Sequence, residues 1–135
     1  MQADGPVKEL RVAVTVDDYD GALRFYRDVL GLPVVESWTG PTGSGAVLAA
    51  GRATLELLSA AQAALVDEVE VGERVAGPVR FAIQVDDSVA TAEALTAGGA
   101  RRLGGPVVTP WSHRNVRLRA PDGMQLTLFT VLDQE

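Results

Sequence analysis

The sequence predicts an α+β fold that consists of two copies of one β-α-β-β-β module. Residues 11–18 (RVAVTVDD) and residues 80–87 (RFAIQVDD) agree at five of eight positions, about half the chain apart. The same order of local patterns follows each segment, namely one helix and then three short strands. Because 135 residues is a usual size for one domain, we expect a single domain over the whole sequence. Module one should span residues 7–59 and module two residues 78–132, with a linker over residues 60–77.

Alternating apolar residues predict the first strand of each module. In module one, Val12, Val14 and Val16 alternate with other residues, and residues 81–85 repeat the pattern in module two. Apolar residues with a period of two, many of them β-branched, are typical of a strand with one buried face. The intervening residues should therefore point to the opposite side of the sheet.

A helix should follow each first strand, because residues that cap helices come next. Asp17 and Asp18 can cap the first helix, and Asp87 and Ser88 can cap the second. The expected apolar face of the first helix comprises Ala22, Phe25, Tyr26, Val29 and Leu30. The corresponding face of the second helix comprises Val89, Ala92 and Leu95. Glycines should end both helices, at Gly31 and at Gly98–Gly99.

Short runs of strand-forming residues complete each module. Turn residues separate these runs, which span 34–38, 46–50 and 53–58 in module one and 101–108, 115–119 and 124–130 in module two. Ser59 and Gln62 have the spacing of a capping box, which predicts a short helix between the modules. The acidic stretch Asp67–Glu73 is interpreted as part of the linker.

The composition excludes several classes of function. The chain has no Cys and one His, so it can form neither a thiolate site nor a site with two imidazoles from one chain. The formal net charge of −6 argues against a nucleic acid partner. No apolar run is long enough to span a membrane, and no basic segment followed by an apolar one starts the sequence. We therefore expect a soluble, cytoplasmic protein with no membrane partner.

Two motifs resemble signatures of the vicinal oxygen chelate superfamily, which includes glyoxalase I, extradiol dioxygenases, fosfomycin-resistance enzymes and bleomycin resistance proteins. The motifs are Val16-Asp17 followed by Ala22, Phe25-Tyr26 and Val29-Leu30-Gly31-Leu32, and the turn Pro121-Asp122-Gly123 before the last strand. The first is similar to the pattern V-x-D…A-x-x-F-Y-x-x-x-L-G, and the second to a D-P-D-G turn. The resemblance implies two modules whose mixed sheets curl into a cup with helices outside, and it also implies a homodimer.

The resemblance also identifies four positions inside the cup at which metal-using members carry ligands, usually His, Glu or Gln. These positions hold Arg11, Glu56, Arg80 and Thr127. An arginine stays protonated and offers donors only, so Glu56 is the one good metal ligand of the four. We therefore expect no metal and no cofactor, as in the bleomycin-resistance-like, metal-free branch. The three charged residues are interpreted as an ion-paired cluster that also orients a ligand.

Residues that alternate with the core should line the cup. The candidate ligand-binding residues, at these and at nearby strand ends, are Arg11, Ala13, Trp38, Glu56, Arg80, Gln84, Trp111, His113, Thr127 and Phe129. Trp38 and Trp111 can stack against a planar ligand at the rim. Two arginines against one carboxylate favour an acidic or carbonyl-rich ligand. In an alternative interpretation the same side chains fill the cup, and each tryptophan covers a loop.

We therefore predict a metal-independent protein that binds or sequesters a small molecule, such as an antibiotic or another secondary metabolite with a planar or aromatic part. No residue is assigned a catalytic role, because nothing near His113 in the sequence supplies the orienting carboxylate that a base requires. The alternative is an enzyme, namely a metal-dependent lyase, isomerase or dioxygenase of the same superfamily. A third possibility is an interaction module with a filled cup.

Overall fold

The structure of the protein is a computed structural model that describes residues 5–132, and this part of the chain contains eight strands and three α-helices. The strands are β1 (Val7–Val16), β2 (Val34–Gly40), β3 (Gly43–Ala50), β4 (Ala53–Ser59), β5 (Val79–Val85), β6 (Arg101–Val108), β7 (His113–Arg119) and β8 (Gln125–Val131). The helices are α1 (Tyr19–Arg24), α2 (Ala60–Glu70) and α3 (Ser88–Ala97). None of these helices is long and apolar enough to cross a membrane.

All eight strands belong to one curled sheet, in the order β2-β3-β4-β1-β5-β8-β7-β6. Strand β1 is parallel to β4, strand β5 is parallel to β8, and the other neighbours are antiparallel. The first strands of the two modules, β1 and β5, pair with each other in the middle of the sheet. The predicted fold class, an α+β fold with two β-α-β-β-β modules and a curled mixed sheet, is confirmed.

The helices lie on opposite faces of the sheet. Helix α1 packs on a core that includes Leu48 and Leu57, and α3 packs through Ala92 on β7 and β8, so both helices cover the outer face. Helix α2 belongs to neither module and lies on the inner face, where Ala63 contacts Ala13. Since side chains alternate along a strand, this inner face carries the residues between the outer core positions.

The apolar face predicted for the first helix is buried only in part. Helix α1 passes into a π-helical turn at Phe25–Val29, which inserts extra backbone and shifts the register of the face. Tyr26 still packs against the core. Phe25, Val29 and Leu30 are more than half exposed, so the prediction that they are buried is wrong.

The segment between the modules is more ordered than an acidic linker. Ser59 caps α2, and its Oγ accepts a hydrogen bond from the backbone N–H of Gln62 at 3.2 Å. The interpretation of Asp67–Glu73 as part of the linker did not include the burial of Asp67 and Glu70. Both side chains are buried on the inner face, where they form ion pairs with strand β7.

Candidate functional site

A cavity of about 300 Å³ opens on the inner face of the sheet, with residues of both modules and of α2 in its lining. Eight of the ten predicted ligand-binding residues line it, namely Arg11, Trp38, Glu56, Arg80, Trp111, His113, Thr127 and Phe129. Ala13 and Gln84 do not. Ala13 is covered by α2 through its contact with Ala63, and Gln84 is a half-buried residue of β5 beside Phe129 of β8.

Helix α2 contributes the part of the lining that the sequence interpretation missed. Gln62, Val66 and Glu70 face the cavity from successive turns of this helix. Their spacing of four residues puts them on one side of a helix, which is the signal that could have identified them. The remaining residues that were not among the ten candidates are Glu36, Ser37, Leu58, Ala82 and Asn115.

The central strands bring together the four positions at which the resemblance expects metal ligands. In the pairing of β1 with β4 and β5, and of β5 with β8, Ala13 lies beside Arg80 and Glu56, while Ala82 lies beside Arg11 and Thr127. The small side chain of Ala82 leaves room for the cavity on this face, and that of Ala13 leaves room for α2.

The expected ion-paired cluster of Arg11, Glu56 and Arg80 contains one long ion pair and no direct hydrogen bond between these side chains. Arg11 Nη1 lies 3.9 Å from Glu56 Oε2, which is close enough for an ion pair and too far for a hydrogen bond. Arg11 Nε donates instead to Glu9 Oε2 at 3.0 Å. Burial raises the pKa of Glu56 above its ordinary value, and the charges of Arg80 and Arg11 offset this only in part. The Glu56 carboxylate is therefore a base of increased proton affinity that faces the cavity.

Arg80 is a buried cation with one hydrogen bond. Its side chain lies in the cavity wall with the residue 7% exposed, and Nη1 donates to Thr127 Oγ1 at 3.1 Å. Among residues 5–132, no carboxylate lies within ion-pair distance of this guanidinium. The expected ion pair between Arg80 and Glu56 is therefore not formed by direct contact.

A second arginine, Arg117, lies beside the cavity and has its charge paired with two buried carboxylates, although its Nη2 has no hydrogen-bond partner among the described residues. Its Nη1 donates to Asp67 Oδ1 and to Gln125 Oε1, both at 2.8 Å, and its Nε donates to Glu70 Oε1 at 3.0 Å. Arg117 Nε also lies 3.1 Å from Thr127 Oγ1, whose hydroxyl donates to Glu70 Oε1 at 2.8 Å. This cluster joins α2 to β7 and β8, and the sequence interpretation did not find it.

Asp67 also holds the chain that leads from α2 into β5. Its Oδ2 accepts hydrogen bonds from the backbone N–H groups of Val75 and Ala76, both at 2.9 Å, and from Arg74 Nη1 at 2.7 Å. Burial acts to raise the pKa of Asp67. These hydrogen bonds and the one from Arg117 outweigh burial, so the pKa lies below its ordinary value.

Aromatic side chains form another part of the lining. The imidazole of His113 stacks on the ring of Phe129, with centroids 5.0 Å apart and planes at 15°. The guanidinium carbon of Arg11 lies 5.2 Å from the centroid of the same ring. Burial lowers the pKa of His113, and the positive charge of Arg11 lowers it further. The imidazole is therefore neutral near pH 7.

The two tryptophans that line the cavity lie on different elements of the fold, one on a strand and one in a turn. Trp38 lies on β2 opposite Gly45 of β3, and its indole covers this glycine so closely that a Cβ atom at Gly45 would overlap the ring. Trp38 also packs against the cluster of Ala13 and Ala63. Trp111 lies in the turn between β6 and β7. Both indoles are half-buried, so each keeps a face for the cavity.

The charge balance of the cavity differs from the sequence-based expectation. Two arginines line it, Arg11 and Arg80, together with three glutamates, Glu36, Glu56 and Glu70. The predicted two-to-one excess of arginine over carboxylate is therefore wrong. It failed because Glu36 and Glu70 come from β2 and α2, whose residues were not included in the count.

The side chains at the four expected metal positions do not fit a metal ion. Glu56 is the one anionic side chain, and the Arg11 guanidinium already lies 3.9 Å from its carboxylate. Thr127 Oγ1 has both lone pairs directed to arginines, Arg80 and Arg117. Within the described residues, no group of three or more His, Asp or Glu side chains is placed to hold a metal ion.

Solved structures of similar fold cover almost the whole chain. A hypothetical protein from Bacillus halodurans C-125 superposes with a TM-score of 0.70 at 19% identity, over 97% of this chain and 99% of the other. Methylmalonyl-CoA epimerase from Mycobacterium tuberculosis gives 0.68 at 22% identity, over 98% and 94%. Methylmalonyl-CoA epimerase from Streptomyces coelicolor, in complex with 2-nitronate-propionyl-CoA, gives 0.66 at 22% identity, over 94% and 99%. These identities support a common fold.

The family comparison agrees with this fold and with the two motifs of the sequence. No curated protein matches the chain. The family model of the Glyoxalase/Bleomycin resistance protein/Dioxygenase superfamily matches residues 10–128, which extend from β1 to β8. Both modules and the inner-face cavity lie within this match. The chain therefore belongs to the Glyoxalase/Bleomycin resistance protein/Dioxygenase superfamily.

Proposed function

We propose that this protein binds a small molecule with a planar or aromatic part in the inner-face cavity, without a metal ion, and releases it unchanged. This assigns it to the bleomycin-resistance-like, metal-free branch of its superfamily. The observation that carries the proposal is the lining: guanidinium groups occupy positions at which metal ligands would be required, and aromatic rings line the same cavity.

The size of the cavity limits what can be enclosed. Ligand pockets have volumes of about 300–1,000 Å³, so this cavity is at the lower end of the range. A compact ligand of one or two fused rings fits inside it. A larger antibiotic or metabolite would place one planar group in the cavity and the rest outside.

The aromatic residues supply contact area, and the polar residues supply orientation. Trp38 and Trp111 offer flat surfaces against which a ring can stack. Arg80 and the Glu56 carboxylate each have hydrogen-bonding capacity that the described part of the protein leaves unused. Such a mixture of apolar surface and a few polar groups is typical of sites for specific small molecules.

Fluorescence titration tests the proposal directly, because the chain contains two tryptophans and both line the cavity. We expect a panel of planar aromatic compounds and antibiotics to include members that quench or shift this emission at saturating concentrations. Trp38→Phe and Trp111→Phe each leave one reporter and should weaken binding about tenfold, which corresponds to about 1.4 kcal/mol. No spectral response to any compound, from protein that is folded by circular dichroism, would contradict the proposal.

One observation favours a second function, an isomerase or lyase that moves a proton on its substrate. Glu56 is buried, has a raised pKa and faces the cavity, as a general acid or base does. Incubation of candidate carbonyl compounds in D₂O would reveal such an activity as deuterium incorporation that Glu56→Gln abolishes. Elemental analysis addresses the metal-dependent form, since a stoichiometric metal whose removal abolishes activity would favour the enzyme.

The expected homodimer and cytoplasmic location stay predictions. Sedimentation at several protein concentrations measures the first, and cell fractionation measures the second.

A further inference from the structure

Arg80 has a charge that no side chain in contact with it neutralises. One of its N–H groups donates to the neutral hydroxyl of Thr127, at 3.1 Å. A guanidinium carries five N–H donors, and no carboxylate of residues 5–132 lies within ion-pair distance of this one. Buried charges are usually paired, because the loss of hydration is costly.

Thr127 fixes the position of Arg80 and cannot be its counter-ion. The hydroxyl of Thr127 donates to Glu70 Oε1 at 2.8 Å and lies 3.1 Å from Arg117 Nε. Glu70 in turn accepts from Asn115 Nδ2 at 2.9 Å and from Arg117 Nε at 3.0 Å. Arg80 is therefore held against a rigid group, while the negative charge behind that group is already paired with Arg117.

We propose that Arg80 is the subsite for a carboxylate group of the bound molecule, so that the ligands of this protein are planar carboxylic acids. This inference rests on the proposed binding function and names its ligand class. The forked guanidinium matches the two oxygens of a carboxylate, and a partly desolvated pair of this kind is strong. The carboxylate would lie at the deeply buried Arg80, with the ring towards the half-buried Trp38 and Trp111.

A single negative charge fits the cavity better than two. The lining already contains the carboxylates of Glu36, Glu56 and Glu70. A phosphate monoester carries more negative charge than a carboxylate near neutral pH, so these groups repel it more strongly. The cavity should therefore rank a carboxylic acid above both a neutral analogue and a phosphate of the same ring.

Three probes with one ring system test this ranking: 2-naphthoate, 2-naphthamide and 2-naphthyl phosphate. Affinities come from calorimetric titration of the full chain at pH 7. In the wild type, the acid should bind about tenfold more tightly than the amide, and the phosphate more weakly than the acid. In Arg80→Gln, the preference for the acid over the amide should fall to about one, because the acid loses much more affinity than the amide.

Two further variants complete the design. Arg80→Lys keeps the positive charge but lacks the forked geometry of a guanidinium. Compared with Arg80→Gln, it should therefore restore part of the preference for the acid. Arg102→Gln removes an exposed cation that lies outside the cavity and should leave all three affinities unchanged. Thermal unfolding of each variant confirms that it is folded.

The outcomes separate this inference from the proposed function. Equal binding of acid and amide by the wild type, or a preference that survives in Arg80→Gln, would overturn the carboxylate subsite and leave the binding function in place. Tightest binding of the phosphate would overturn the assignment of the ligand class. Binding of none of the three probes, nor of any compound of the wider aromatic panel, would overturn both.

Discussion

Two arginines of module two, Arg80 on β5 and Arg117 on β7, contact the same hydroxyl group and differ in almost everything else. Both are buried, and both donate to Thr127 Oγ1 at 3.1 Å. Arg117 also bonds to Asp67, Glu70 and Gln125. Arg80 has no further partner within the part of the chain that the structure describes.

The difference shows that burial and residue type do not separate a structural arginine from one that is available to a ligand. The pairing of its charge with carboxylates does. Arg117 forms ion pairs with Asp67 and Glu70 that join α2 to the sheet, whereas Arg80 lines the cavity with no carboxylate of the described residues within ion-pair distance. Replacing the two residues in the same way should therefore have opposite consequences for stability and for binding.

Replacement of Arg117 by Met should have the largest effect on stability. The variant would leave Asp67 and Glu70 buried without their shared cation, which costs about 3–5 kcal/mol in the free energy of unfolding. Urea denaturation at pH 7 measures the loss. The matched control is Arg80→Met, which removes a cation with no carboxylate of the described residues within ion-pair distance. It loses only the longer-range attraction to Glu56 and should cost less than about 1 kcal/mol. Equal losses in the two variants would remove the distinction between the arginines.

Replacement of Asp67 by Asn should lower the free energy of unfolding at pH 7 by about 2 kcal/mol, because hydrogen bonds to a charged group are lost. The pKa of Asp67 is lower in the folded chain than in the unfolded one. The stabilisation by Asp67 is therefore complete above the unfolded value of about 3.9 and is lost as the pH falls through the folded value.

The difference in stability between wild type and Asp67→Asn should consequently shrink below about pH 4. Urea denaturation at several pH values measures this trend. The exposed Glu68 on the same helix provides a control, since Glu68→Gln should not show it. A constant difference at all pH values would mean that the charge of Asp67 does not contribute.

Replacement of Gly45 by Ala tests how the chain positions Trp38, the aromatic residue of module one in the cavity. The new Cβ atom would overlap the indole, so the ring should move, at a cost of about 1–2 kcal/mol. In a Trp111→Phe background, the emission of Trp38 should shift to longer wavelength as the ring becomes more exposed. Gly40→Ala lies near the same hairpin, where nothing is within 4 Å of the added atom, and should cause neither change.

Replacement of Glu56 by Gln should have the smallest effect and the opposite sign. The pKa of Glu56 is raised in the folded chain, so the wild type loses stability as the pH rises from the unfolded value, about 4.3, through the folded one. The variant should avoid this loss and be more stable than the wild type at pH 7, with little difference at pH 4. Melting temperatures at both pH values measure it. Glu36→Gln, an exposed carboxylate of the same cavity, should show no such gain.

The sequence predicts the strands and much of the cavity well, because both follow from local alternation. The family resemblance identified Arg11, Glu56, Arg80 and Thr127, and strand alternation also places them on the inner face. All four line one cavity. The cluster around Arg117 could not be predicted in the same way. It depends on contacts between α2 and β7, whose residues are far apart in the sequence.

The failures of the sequence interpretation have specific physical reasons. The π-helical turn moves Phe25 and Val29 away from the core, since it breaks the regular spacing on which the prediction of a buried face depended. Glu70 was assigned to a linker because nothing local indicates that a carboxylate is buried. The sequence did contain one signal of an inward-facing charge: Arg117 stands between the apolar Val116 and Leu118 in a predicted strand, so its side chain points to the face opposite theirs.

The pairing of β1 with β5 also has a consequence for how this protein can change its specificity. The junction between the two repeated units runs beneath the cavity, so each repeat supplies its own wall. A substitution in one repeat alters one part of the lining, while the parts supplied by the other repeat and by α2 keep their geometry. For the small molecule that we propose as the ligand, preferences can therefore change one side at a time, and the unchanged parts of the lining retain some affinity.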